Sequence, residues 1–312
     1  MTALFNKDGR GAEELNRLTG SYYASNKYEN ISAEIDFATN EVAGIVGKDI
    51  VERAGTEYQE GTDSALMALV QMPIACLAIY RHFQQMGVSH EDAGRKLKID
   101  ENEKIPFEWM LDRDDRAMRE RYYRSLDALY SYLEQEDIAE WQQSPVRKLL
   151  SGSIVRGLSS FEQVYPIEHS FYTYFMLQPL VIEAQNARLR KMLGEKWDRI
   201  SSADVAEEDR LLLQYAQRVV ILYAVITAVE RWSIEVFPLS IARRFSPSYQ
   251  GNRASQSASM QEIEWYLAKL RGQVADAETD LVAVLNGTEN PYEDYPLMPE
   301  NDRRKKYFNA GV

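Results

Sequence analysis

The sequence predicts an all-α protein built from two tandem helical bundles. Three observations point there. Apolar residues recur at three- and four-residue spacing over most of the chain, which is the repeat of one helix face. Two stretches, ALMALVQMPIACLAIY and VVILYAVITAV, are apolar nearly all round and read as central helices. The motif FEWML at 107–111 returns as IEWYL at 263–267, half the chain later.

Taken in order, Ile31, Ile35, Ala38, Val42 and Ile45 form the face of a first helix, and Gly47 is its stop. A central helix runs from about 62 to 86, with Pro73 expected to kink or break it. A polar loop follows, and then an amphipathic helix over about 107–136. The second half repeats this order. Leu177, Val181 and Ala184 open a helix that ends near Gly194. Asp204 with Glu207 reads as a capping box for an apolar helix over about 205–232. A Ser-, Gly- and Asn-rich loop precedes a last amphipathic helix at about 260–285. At an offset of 146, Gln71 falls on Gln217 and Ala78 on Ala224; at 147, Gly47 falls on Gly194; at 156, Trp109 meets Trp265.

Short strands are expected before each bundle, at Ala3–Phe5 and Ser153–Val155. The units so defined are 1–150 and 151–286, followed by an extended C-terminal arm at 287–312. That arm holds three prolines and no helical period, and it passes from acidic to basic. Its residues Tyr292, Tyr295, Leu297, Met298, Arg303, Arg304, Lys305, Lys306, Tyr307 and Phe308 are the candidate partner-binding set. The loops 87–104 and 246–258 come next.

Composition narrows the function. A net charge of −12 repels phosphate backbones, so general nucleic-acid binding is not expected. The single cysteine, Cys76, lies among apolar neighbours, where burial would raise its pKa and blunt its reactivity. One cysteine also suits a reducing compartment. The first residues show no basic stretch leading into an apolar core, so no secretory signal is read, and the apolar stretches read as core helices rather than membrane spans.

His82, His90 and His169 lie in different elements with no metal-ligand spacing. His82 reads as a packed histidine. Asp112, Asp114 and Asp115 alternate with arginines that would neutralise them one helical turn away, so a magnesium site is disfavoured. No catalytic residue, cofactor or metal is expected. Nineteen tyrosines, several in pairs such as SYY and HSFYTYF, suit surfaces used for assembly.

The succession ISAEIDFATNEVAGIVG, DSALMALVQMPIACLAIY and GVSHEDAGRK resembles the helical head-to-tail connector, or adaptor, proteins of tailed bacteriophages. The resemblance covers about 30–136 and, through the repeat, 177–285. It is also similar to uncharacterised proteins of gut-bacterial phages in YASN, VSHEDAGRK and VYPI. It implies a non-enzymatic virion protein of the neck, assembled in the bacterial cytoplasm. Such a protein forms a homo-oligomeric ring between the portal protein and the tail or further adaptors, and it extends the DNA channel without binding DNA specifically. This chain departs from the simple member, which has one bundle. The alternative is an intracellular helical protein-binding module that forms no ring.

Overall fold

The computed structural model describes residues 2–23, 25–86, 89–91, 94–96, 107–202, 204–231 and 260–287. The all-α expectation holds. In the first half, α1 (Gly11–Thr19), α2 (Ser32–Val46), α3 (Lys48–Glu60) and α5 (Glu108–Gln135) pack around α4 (Ala65–Met86). In the second, α9 (Phe171–Ala184), α10 (Arg190–Leu193), α11 (Lys196–Ser201) and α13 (Met260–Leu285) accompany α12 (Glu207–Arg231). Between the halves lie the short α6 (Ala139–Gln143), α7 (Pro145–Ser151) and α8 (Leu158–Glu162). A small hairpin, β1 (Ser89–Glu91) with β2 (Gly94–Lys96), follows α4.

Both central helices are greasy because they are enclosed. Val70, Ile74, Ala75 and Ala78 on α4 are fully buried, and so are Ala216, Val219, Ile221, Ala224 and Val225 on α12. Each is long and apolar enough, by length and composition, to cross a membrane, although the stretch read from sequence on α12 is shorter. More than half of each apolar window is buried against neighbouring helices, the pattern of a core helix. The amphipathic α5 turns Leu126, Leu129 and Leu133 inward onto α4, and α13 turns Leu270, Val274, Ala277 and Leu281 inward onto α12.

Four expectations change. Ala3–Phe5 and Ser153–Val155 are irregular, not strands. Among the described residues no adjacent strand offers them a ladder, and a buried carbonyl needs some other donor. Gln71 on α4 supplies it, donating Nε2–H to the Leu4 carbonyl at 2.6 Å; Gln217 on α12 donates to the Ile154 carbonyl at 2.8 Å.

Next, α4 continues unbroken through Pro73, which is itself buried; tertiary packing outweighs the lost backbone bond. The capping box does not form, because α12 begins at Glu207 and Asp204 lies outside it. Finally, α3 was not anticipated: Gly47 ends α2 at φ 106° and the chain re-enters a helix at once.

Gly47 and Gly194 both hold positive φ, at 106° and 54°, and each closes one helix shortly before another begins.

Candidate functional site

A groove of about 500 Å³ lies in the second half. Its walls come from α9 with its extension, from α12 and from α13. After Ala184 the helix widens into a π turn, Gln185–Leu189, before α10. Such turns are rare and frequently mark functional positions. Small side chains, Ala184, Ala187, Thr227 and Ala275, leave the space, and Ile226 and Val274 make it partly apolar.

Charge lines the rim in paired form. The guanidinium of Arg188, on the π turn, lies over the Tyr223 ring at 4.2 Å and also donates to its hydroxyl. That hydroxyl donates to Glu278 on α13 at 2.9 Å. Burial, reinforced by the Glu278 carboxylate, pushes the Tyr223 pKa up, so the phenol stays protonated. Arg271 of α13 pairs with Glu230 of α12 at 2.5 Å, and Arg231 grips Glu183 through two bonds of 2.6 Å. These pairs link α9 with α12 and α12 with α13. Its partly apolar walls and paired donors and acceptors suit a flat, partly polar ring; none of the residues lining it is a histidine, serine or cysteine that could serve as a nucleophile.

The residues at the same offsets in the first half are Glu41, Leu77, Tyr80, Gln84, Asp115 and Tyr122. The start of α9 packs nearby against α5. The Tyr172 ring meets the Tyr123 ring at 5.4 Å. Burial, with added repulsion from Tyr123 and Glu41, pushes the Tyr172 pKa up to about 12. Asp127 on α5 accepts from the Tyr172 N–H at 2.9 Å and from the Ser170 hydroxyl at 3.1 Å, covering the open N-terminus of α9. Burial nevertheless holds the Asp127 carboxyl above its usual range. Phe175 stacks on Tyr130 at 4.6 Å and meets Trp141 edge-on at 5.6 Å. This junction joins the two halves.

A second surface is apolar and exposed. Trp109, in the first turn of α5, and Trp265, in the second turn of α13, are 58% and 57% exposed. Phe107, Met110 and Leu111 are exposed beside the first, and Lys269 sits over the Trp265 ring at 4.9 Å.

The partner-binding set from Tyr292 to Phe308 lies outside the described residues, as does the loop 246–258; of 87–104 only the backbone of the hairpin is described. His82 is buried and meets Tyr22 edge-on at 5.8 Å. Exposed His169 pairs with Glu162. Burial pushes the Cys76 thiol up to about 11.

Asp115 accepts a bond from Gln84 at 3.4 Å. Arg121, expected to neutralise an aspartate, instead donates to the Leu18 and Thr19 carbonyls that end α1. Among the described residues no group of three or more His, Cys, Asp or Glu gathers to hold a metal ion.

Arg188, Tyr223, Glu278, Tyr172 and Asp127 were not anticipated. The available signal was a tyrosine inside an otherwise aliphatic helix, at 223, and the recurrence of Ser-aromatic-Tyr at 21–23 and 170–172.

The sequence pattern of DUF6712, a family of unknown function, matches residues 45–149 and 186–305. No curated protein and no solved structure matches the chain.

Proposed function

For a chain that belongs to DUF6712, a family of unknown function, we propose the role of a tandem-duplicated head-to-tail connector: a non-enzymatic virion protein whose copies form a ring between portal and tail. In this reading the two halves descend from one bundle.

The observation that carries the duplication is a repeated cross-chain bond. Gln71 and Gln217, related by the offset of 146, each clamp the carbonyl of an irregular segment that precedes their bundle. Gln84 meets Asp115 across α4 and α5; the offsets of 146 and 156 carry that pair onto Glu230 and Arg271, which meet across α12 and α13. Gly47 and Gly194 take the same place with positive φ, and Trp109 and Trp265 are equally exposed. The family pattern covers most of both halves, which agrees with this.

The connector assignment itself rests on the resemblance set out above. It is supported by exposed aromatic rings suited to assembly and by an acidic chain past which DNA would slide without counterion-releasing contacts. Rings need two complementary flanks on a rigid body, and a duplicated bundle supplies related surfaces at its two ends. Negative-stain microscopy of the purified chain, alone and mixed with the portal protein, tests the proposal. Closed rings are expected. A chain that stays monomeric and ignores portal overturns it.

A further inference from the structure

In the first half the chain beyond α5 turns back onto its own bundle. Trp141 on α6 is fully buried, with its ring against that of Tyr130. Glu140 pairs with Arg53 of α3 at 2.9 Å. Ser144 sits against Gly47, where an added Cβ would come within 3.3 Å of the Ser144 Cβ. In the second half the matching surface is uncovered: among the described residues, a Cβ added to Gly194 would meet nothing within 4 Å. Around that glycine, residues 188–199 carry five cations against the two acids Glu195 and Asp198, in a chain of net charge −12. Arg190 and Lys191 are exposed at the end of α10. Lys196 of α11 donates to the Leu285 carbonyl at 2.9 Å. That bond sets the end of α13, where residues 288–312 begin, beside this basic surface. Val282, one turn earlier on α13, is 44% exposed.

We propose that residues 289–305 dock on their own second bundle, across Gly194 and α11, as 138–150 docks across Gly47 and α3 in the first. The proposal rests on the tandem reading above. The family pattern ends at 149 in one match and at 305 in the other. Those ends are 156 apart, the offset that sets Trp109 on Trp265. At that offset the buried Trp141 falls on Leu297, and Arg147-Lys148 falls on Arg303-Arg304. Charge is complementary as well. Glu289, Glu293 and Asp294 follow α13 and would meet Arg190, Lys191 and Lys196. Glu293 is eight residues past Leu285, a reach of up to about 28 Å, which carries it from Lys196 past Gly194 to Lys191. The Glu140–Arg53 pair itself is not repeated, because the offsets set Pro296 and Ile200 at those places. The second contact is therefore the more dependent on exposed charges, and salt weakens it.

Carbodiimide coupling of the intact chain tests the contact, because it joins an amine to a carboxylate only where the two touch. Mass spectrometry is expected to find Lys191 linked to Glu293 or Asp294 within one chain. Mixing isotope-labelled and unlabelled chains separates that link from one between copies; links between copies alone overturn the proposal. Trypsin gives a second readout, since docking protects the bonds after Arg303 and Arg304. Leu297→Ser and Lys191→Glu, both remote from those bonds in sequence, are each expected to speed that cleavage about fivefold or more. Equal cleavage in all three chains, with no link, overturns the contact; rings in negative stain would then leave the connector reading standing. The link in a chain that never forms rings, with or without portal, upholds this contact and removes the connector reading.

Discussion

Gln71 and Gln178 are both buried amides on helices with opposite consequences. Gln71 spends its donor on the Leu4 carbonyl, so each group serves the other. Gln178, fully enclosed on α9, has neither its oxygen nor its nitrogen paired among the described residues. Leaving such a group dry costs about 1–3 kcal/mol, and an apolar replacement of equal shape removes the penalty. Gln178→Met is therefore expected to raise stability by about 1–2 kcal/mol in urea unfolding.

His82 acts through pH. Burial holds its pKa below the ordinary 6.5, although Glu34 pulls the other way. The unfolded chain then binds the proton more readily than the folded one, so stability rises with pH up to about 6.5 and falls as the solution is acidified below it. The neutral variant His82→Gln should flatten that acid-side slope in unfolding midpoints measured between about pH 5 and 7.

At the scale of elements, the long helices follow from periodicity alone. The last one was expected at 260–285 and lies at Met260–Leu285. Their ends depend on local chemistry. Gly47 is the clearest case, because φ 106° with ψ 140° is closed to side chains and an added Cβ would approach the Ser144 Cβ at 3.3 Å. Gly47→Ala should cost about 1–3 kcal/mol, read as a lower thermal midpoint. The same glycine hid α3 from the sequence reading. A stop signal looks the same whether the chain then enters a loop or another helix, and only the Ile50, Val51, Ala54, Tyr58 spacing, all four buried, separates the two. The short helices α6 to α8 were illegible for a related reason: pieces of five to seven residues are too brief to show a period.

For the whole molecule, the junction of α5 with α9 decides how the two bundles sit. Asp127 bonds to the start of α9, and the same junction holds the ring contacts of Tyr123 with Tyr172 and of Phe175 with Tyr130 and Trp141. Asp127→Ala removes a helix cap and should lower stability by about 1–2 kcal/mol, with protease cleavage appearing first between the halves.

The sequence by itself determined the helical class and the long helices, because those depend on spacing and on apolar character that each residue carries alone. Tertiary structure decided which carbonyls the glutamines reach, whether Pro73 interrupts its helix, and that Arg188, Tyr223 and Glu278 meet along one groove. Each of those depends on two segments far apart in the chain arriving at one place, and periodicity along a single segment carries no information about its partner.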